Sequence, residues 1–249
     1  MFSYYGSKRK IAHLYPTPQH LTIVEPFAGA AHYSLFHAKY NPGKYRVILF
    51  EKSVDTFLCW KWLQSVSVDE LVSLPIPEAK QPIPQFSDRG KSVFLSFTMN
   101  QGTAKPRKSA GGMKGCAVAN VKRRLERTAA LLPVIRDWQV YNTSYTSAPN
   151  DLVGTWYVDP PYFQEKWGEY AHGPEQINYS VLADWCKSRL GQVIVAENDN
   201  APWLPFKPLV VCAGQRKTST LRNEGIWTNE VASWKPALEA ESDMERDRR

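Results

Sequence analysis

Two consecutive prolines at the end of an apolar run constrain this chain more than any other feature. Thr155-Trp156-Tyr157-Val158 is rich in aromatic and β-branched residues and reads as the end of a β-strand. Asp159-Pro160-Pro161-Tyr162 follows at once. Proline has no N–H for a sheet ladder and bars an ordinary helical turn. It also holds the residue before it extended. The chain therefore leaves the strand as a stiff, open loop that begins with an acid and ends with an aromatic ring. In open α/β sheets, ligands sit at the carboxyl ends of strands.

A second strand end lies near the N-terminus. Leu21-Thr22-Ile23-Val24 has a buried-strand pattern, Glu25-Pro26-Phe27-Ala28-Gly29-Ala30-Ala31 makes a turn of small residues, and Ser34-Leu35-Phe36 continues as a helix. Gly29 suits a tight turn that a ligand approaches closely, and the helix start offers free N–H groups beneath it. The turn lacks G-x-G-x-x-G, which argues against a nicotinamide dinucleotide. The next strand, Tyr45–Phe50, ends at Glu51, 22 residues past Gly29. An acid at about that spacing in a βαβ unit holds ribose hydroxyls. Further strands are expected at 138–141, 192–196, 209–212 and 230–234, with helices at 55–64 and 181–190. Strands alternating with helices in this way predict an α/β sheet.

Residues 66–135 break the pattern. Leu74-Pro75-Ile76-Pro77 and Gln81-Pro82-Ile83-Pro84 exclude regular structure. Phe94–Thr98 is apolar, and residues 105–115 form a basic, glycine-containing stretch expected to be flexible. Val118–Leu132 predicts an amphipathic helix with Val118, Val121, Leu125, Ala129 and Leu132 on one face. This segment reads as an insertion that meets phosphates through Lys105, Arg107, Lys108, Lys114, Arg123 and Arg124. The net charge of +7 and pI near 9.2 favour an anionic partner such as nucleic acid. Cys59, Cys116, Cys186 and Cys212 have neither zinc-site nor disulfide spacing and read as reduced thiols, so no metal is expected. No apolar run spans a membrane and no signal-peptide pattern opens the chain. The tail from Lys235 is charged and expected to fray.

The Asp-Pro-Pro-Tyr loop suits one chemistry in particular. The exocyclic amino group of adenine is a poor nucleophile because its lone pair is delocalised into the ring. Two fixed oxygens, the Asp159 carboxylate and the Pro160 carbonyl, can accept its N–H bonds and hold the nitrogen closer to tetrahedral. Tyr162 can stack on the base, a contact worth about 1–3 kcal/mol. Near the N-terminus, Tyr5-Gly6-Ser7-Lys8 offers an aromatic wall and a cation for a carboxylate.

The order Tyr5-Gly6-Ser7-Lys8, Glu25-Pro26-Phe27-Ala28-Gly29, Glu51, a basic insertion and Asp159-Pro160-Pro161-Tyr162 resembles the Dam-type (D12 class) adenine-N6 DNA methyltransferases. The similarity runs over about 2–234 and is weakest across the insertion. It implies a Rossmann-like S-adenosylmethionine-dependent methyltransferase sheet formed by 1–65 and 136–234. It also implies a small, mainly helical target-recognition domain over 66–135 and a disordered tail over 235–249. By the resemblance, Tyr5 and Lys8 meet the methionine end of S-adenosylmethionine. Glu25, Phe27, Gly29 and Asp159 line the cofactor pocket, and Glu51 takes the ribose hydroxyls. Asp159, Pro160, Pro161 and Tyr162 form the pocket for a flipped adenine. Double-stranded DNA is the implied partner of a monomeric, cytoplasmic enzyme in a bacterial, archaeal or phage-infected cell. Two positions depart from the family pattern: Ala30 replaces a second glycine, and Glu51 replaces an aspartate. Cytosine-N4 or RNA amino-methylation by the same loop, and an inactive DNA-binding module on the same fold, are the alternatives.

Overall fold

A computed structural model of the chain describes residues 1–112, 117–164, 170–212 and 222–229. Its centre is a seven-stranded sheet of β1 (Thr22–Glu25), β2 (Arg46–Phe50), β3 (Gln139–Tyr141), β4 (Val153–Val158), β5 (Leu190–Asn198), β6 (Lys207–Cys212) and β7 (Arg222–Thr228). The order across the sheet is β3-β2-β1-β4-β5-β7-β6. The pairs β2–β3, β1–β2, β1–β4 and β4–β5 are parallel, and β7 runs antiparallel to both β5 and β6. The order reverses between β1 and β4, the switch point at which open sheets form a crevice.

Alternation along the strands builds two apolar layers, because successive side chains face opposite sides of a sheet. Ile23, Val47, Leu49, Tyr157 and Ile194 face one core. Val24, Ile48, Phe50, Trp156, Val158, Val193 and Val195 face the other. The first layer is covered by α1 (His32–Tyr40), α2 (Val54–Ser65), α3 (Val68–Val72), α4 (Arg89–Met99), α5 (Val118–Ala129) and α6 (Leu132–Ile135). The second is covered by α7 (Tyr179–Lys187), through Tyr179, Leu182, Ala183 and Cys186. Side-chain caps start four of these helices: Ser53 on α2, Ser67 on α3, Asp88 on α4 and Asn178 on α7.

Several sequence expectations shift in detail. The apolar piece 94–98 lies inside helix α4. The helix expected over 118–132 stops at Ala129 and restarts at Leu132, where Pro133 takes a first-turn position that tolerates a missing N–H. The helix expected over 181–190 ends at Lys187, and Leu190 opens β5 instead. Past the Tyr5-Gly6-Ser7-Lys8 string, Ala12–Leu14 forms a single 3-10 turn. Strand β7 was not anticipated, because Arg222-Asn223-Glu224-Gly225 carries no apolar alternation. The strand expected at 230–234, the tail from Lys235 and Lys114 lie outside the described residues.

Residues 66–135 share the sheet's first core rather than enclosing one of their own. Leu71, Phe94, Phe97, Val121, Leu125 and Leu132 belong to the same buried cluster as Ile23, Val47 and Trp60. Helix α4 approaches α2 so closely at Gly90 that a Cβ there would lie 2.3 Å from the Leu58 carbonyl oxygen. The basic stretch expected to be flexible is tied down over 107–110. Ile83 N donates to Lys108 O at 2.8 Å, Ala110 N to Gln81 O at 2.8 Å, and Arg107 N to Ser96 Oγ at 2.6 Å. Among the described residues, no helix is long and apolar enough to cross a membrane.

Candidate functional site

Strands β1, β2 and β4 end together, and Glu25, Glu51 and Asp159 at or just past their carboxyl ends line one cleft. Its empty volume is about 1030 Å³, counting space open to solvent. The N-terminal segment closes one side. Tyr5 N donates to Thr103 O at 3.1 Å, which anchors that segment beside the loop after α4. Of the sequence candidates, Tyr5, Lys8, Glu25, Phe27, Gly29, Glu51, Asp159 and Pro161 line the cleft.

The Gly29 turn is held from three sides. Gly29 has φ +45°, and Ala31, which precedes α1, has φ +46°, both in the left-handed region. A Cβ on Gly29 would lie 3.1 Å from the Tyr4 ring. The Trp60 indole N–H donates to Gly29 O at 2.8 Å. Glu51 Oε2 accepts Gly29 N at 2.9 Å while its Oε1 accepts Ser53 N at 2.8 Å. Burial pushes the Glu51 carboxyl up to about 7, against the pull of these two N–H bonds. Glu25 accepts Ser34 N, at the start of α1, at 2.8 Å, and burial pushes it up to about 8. The expected row of free N–H groups at the start of α1 is therefore partly consumed by the chain's own carboxylates. The ring of Phe27 stacks on Tyr145 at 5.2 Å, giving the cleft a flat aromatic wall.

The proline loop is held just as firmly. The Tyr179 hydroxyl donates to Pro161 O at 2.6 Å. Glu197, at the end of β5, accepts Phe163 N at 2.9 Å and the Trp203 indole N–H at 3.1 Å through Oε2, and burial pushes its carboxyl up to about 7. Asp159 faces a cation from its own chain. The Lys8 ammonium donates to Asp159 Oδ1 at 2.7 Å and Oδ2 at 2.9 Å, and to Gly6 O at 2.9 Å. It also stands 4.7 Å from the centre of the Tyr162 ring. Tyr162 is only 7% exposed, and its hydroxyl donates to Glu224 Oε1 at 2.5 Å.

Pro160 and Tyr162 do not line the cleft; Lys8 does, with its ammonium over the Tyr162 ring. Lys105, Arg107, Lys108, Arg123 and Arg124 lie elsewhere on the molecule, with Lys105, Arg107, Lys108 and Arg123 exposed. Arg124 donates from Nη1 to Thr98 O at 2.5 Å, so that one of its donors serves the contact between α5 and α4. Sequence reasoning missed Tyr4, Tyr145, Tyr170 and Glu224. The aromatic pair Tyr4-Tyr5 was visible, but nothing local marks the other three. Among the described residues, no cluster of three or more His, Cys, Asp or Glu could hold a metal ion.

No family model matches the chain, and no curated protein matches it. Solved structures that match include a conserved hypothetical protein of Streptococcus pyogenes. It is 11% identical, with 84% of this chain and 86% of that chain covered and a TM-score of 0.34.

Proposed function

We propose that this protein transfers a methyl group from S-adenosylmethionine to the N6 amino group of adenine in double-stranded DNA. The observation that supports it most is the pairing, in one cleft at the sheet's switch point, of the Glu51-braced Gly29 turn with the Asp159 loop. The cleft's residues fit the cofactor. Phe27 and Tyr145 offer a flat apolar wall, and the lone pairs of Glu51 not used by Gly29 and Ser53 accept ribose hydroxyls. The bound cofactor supplies an electrophilic methyl group.

Asp159 accepts an amino N–H and fixes the nitrogen in line with that methyl group. Pro160, buried and outside the cleft's lining, lends its carbonyl as the second acceptor only once the entering base reaches past that lining. An adenine inside a duplex cannot present its amino group, so the base must leave the stack. Tyr162 is the ring that receives it. In the arrangement described above, the Lys8 ammonium must first leave the face of Tyr162. The exposed Lys105, Arg107, Lys108 and Arg123 supply phosphate contacts, which position DNA without reading its sequence.

Single-turnover transfer of labelled methyl groups to adenine-containing duplexes tests this reading. Asp159→Ala is expected to lower the transfer rate far more than it weakens DNA binding. In isothermal titration, Glu51→Ala should weaken S-adenosylmethionine binding by about 1–3 kcal/mol, the cost of a charge-assisted hydrogen bond. A near wild-type rate in Asp159→Ala makes the loop a structural turn. Transfer to cytosine but not adenine moves the assignment to cytosine-N4 chemistry.

A further inference from the structure

Glu224 lies on β7, the reversed strand, opposite Asn198 of β5. It is buried, and its Oε1 accepts two hydroxyls at 2.5 Å, one from Tyr15 and one from Tyr162. The Lys8 ammonium stands 3.8 Å from the same oxygen while it donates to both oxygens of Asp159. It thereby covers the two groups that the proposed reaction needs, the accepting carboxylate and the stacking ring. No base can stack on the Tyr162 face that the ammonium covers until the ammonium moves. A buried ammonium that loses its carboxylate carries a heavy desolvation penalty unless another anion receives it. Glu224 is that anion. Its Oε1, 3.8 Å from the ammonium, is the counter-ion within reach when the ammonium swings off the Tyr162 face.

The geometry points to Glu224 as a positioning residue with two tasks. It fixes the plane of the Tyr162 ring through the phenolic hydroxyl. It also gives the Lys8 ammonium a second seat when a target amino group takes over Asp159. The exchange moves hydrogen bonds only: Lys8 N–H groups pass from Asp159 to Glu224 as amino N–H groups arrive, and no proton changes owner. The inference rests on the methyl-transfer reading of the site.

Glu224→Gln keeps the side chain's size and an oxygen for the hydroxyls but removes the charge that draws Lys8. Single-turnover transfer should slow about tenfold, while cofactor and DNA affinities change by less than about twofold. Added to Lys8→Met, the same substitution should bring no further slowing, because its partner is gone. Independent, multiplying effects of the two substitutions, or a Glu224→Gln rate within about twofold of wild type, overturn the inference. A second readout needs no turnover. With lysines labelled biosynthetically with carbon-13 and nitrogen-15, the Lys8 side-chain signal should shift in free Glu224→Gln protein, and an unmoved signal overturns the inference. Wild-type protein that methylates no adenine sinks the function reading, and the Lys8 signal still decides whether Glu224 governs the ammonium. If Glu224→Gln does not fold, Glu224→Asp takes its place. It draws the carboxylate back from Lys8, is expected to show the same rate loss at unchanged affinity, and counts against the inference at wild-type rate.

Discussion

Three buried carboxyls around the cleft make the protein's stability depend on pH in an unusual direction. Glu25, Glu51 and Glu197 are pushed up from about 4.5 to about 8, 7 and 7 by desolvation, the largest cause in each case. Below pH 4.5 both folded and unfolded chains hold these protons. As pH rises through the window, the unfolded chain ionises first while the folded chain keeps its protons. The native state then binds more protons, and stability falls until the folded carboxyls ionise. Glu25→Gln removes the largest of these shifts. Urea midpoints at pH 5 and pH 8 should therefore lie closer together in Glu25→Gln than in wild type. An equal spacing would mean that Glu25 is ionised in the folded protein. The Lys8 ammonium makes its ion pairs with Asp159 and Glu224.

Helix α4 joins residues 66–135 to the sheet, and Gly90 in its first turn decides how closely. Gly to Ala in a helix ordinarily stabilises by up to about 1 kcal/mol through backbone entropy and propensity. Here the added methyl would meet the Leu58 carbonyl oxygen at 2.3 Å and Trp62 Cβ at 2.8 Å, and neither is a flexible side-chain end. Overpacking of this kind costs about 1–3 kcal/mol, so the clash outweighs the propensity gain. Gly90→Ala should lower the urea midpoint, and a raised midpoint would show that α4 can slide away from α2 freely. Because α4 also precedes Thr103, which anchors Tyr5, the variant should disturb the N-terminal wall of the cleft as well.

At the scale of the whole molecule, charge is spread unevenly in function if not in number. The net charge is +7, yet Lys8 is buried against Asp159 and Arg124 serves the α5–α4 contact. The exposed Lys105, Arg107 and Lys108 sit on a segment pinned to 80–83 and 96, so they present their charges from a fixed backbone. DNA affinity should fall with salt at a log–log slope of about −0.9 per phosphate contact. Neutralising Lys105, Arg107 and Lys108 together should flatten that slope by about 2–3 units. An unchanged slope would return the three to an ordinary solvated surface and shift attention to Arg123 and the other basic residues of α5.

Local patterns were enough for the parallel half of the sheet. Alternation at Ile23-Val24 and Val47–Phe50, the stiff exit at Pro160-Pro161 and the small-residue turn at Gly29 all act within a few residues, so the sequence states them directly. Strand β7 was not legible, since its stability comes from pairing with β5 and β6 and not from its own apolar content. The same holds for the centre of the site. Lys8 meets Asp159 across 151 positions and Tyr15 meets Glu224 across 209. No spacing rule reaches that far. Lys8 and Glu51 look alike in sequence as charged residues beside a turn. Only the closing of the sheet sends one to a carboxylate of its own chain and the other to the N–H groups of Gly29 and Ser53. Local sterics and hydrophobic alternation decide which elements form. Which charges become partners is decided by burial, because a buried ion accepts only the counter-ion that the fold has brought within reach.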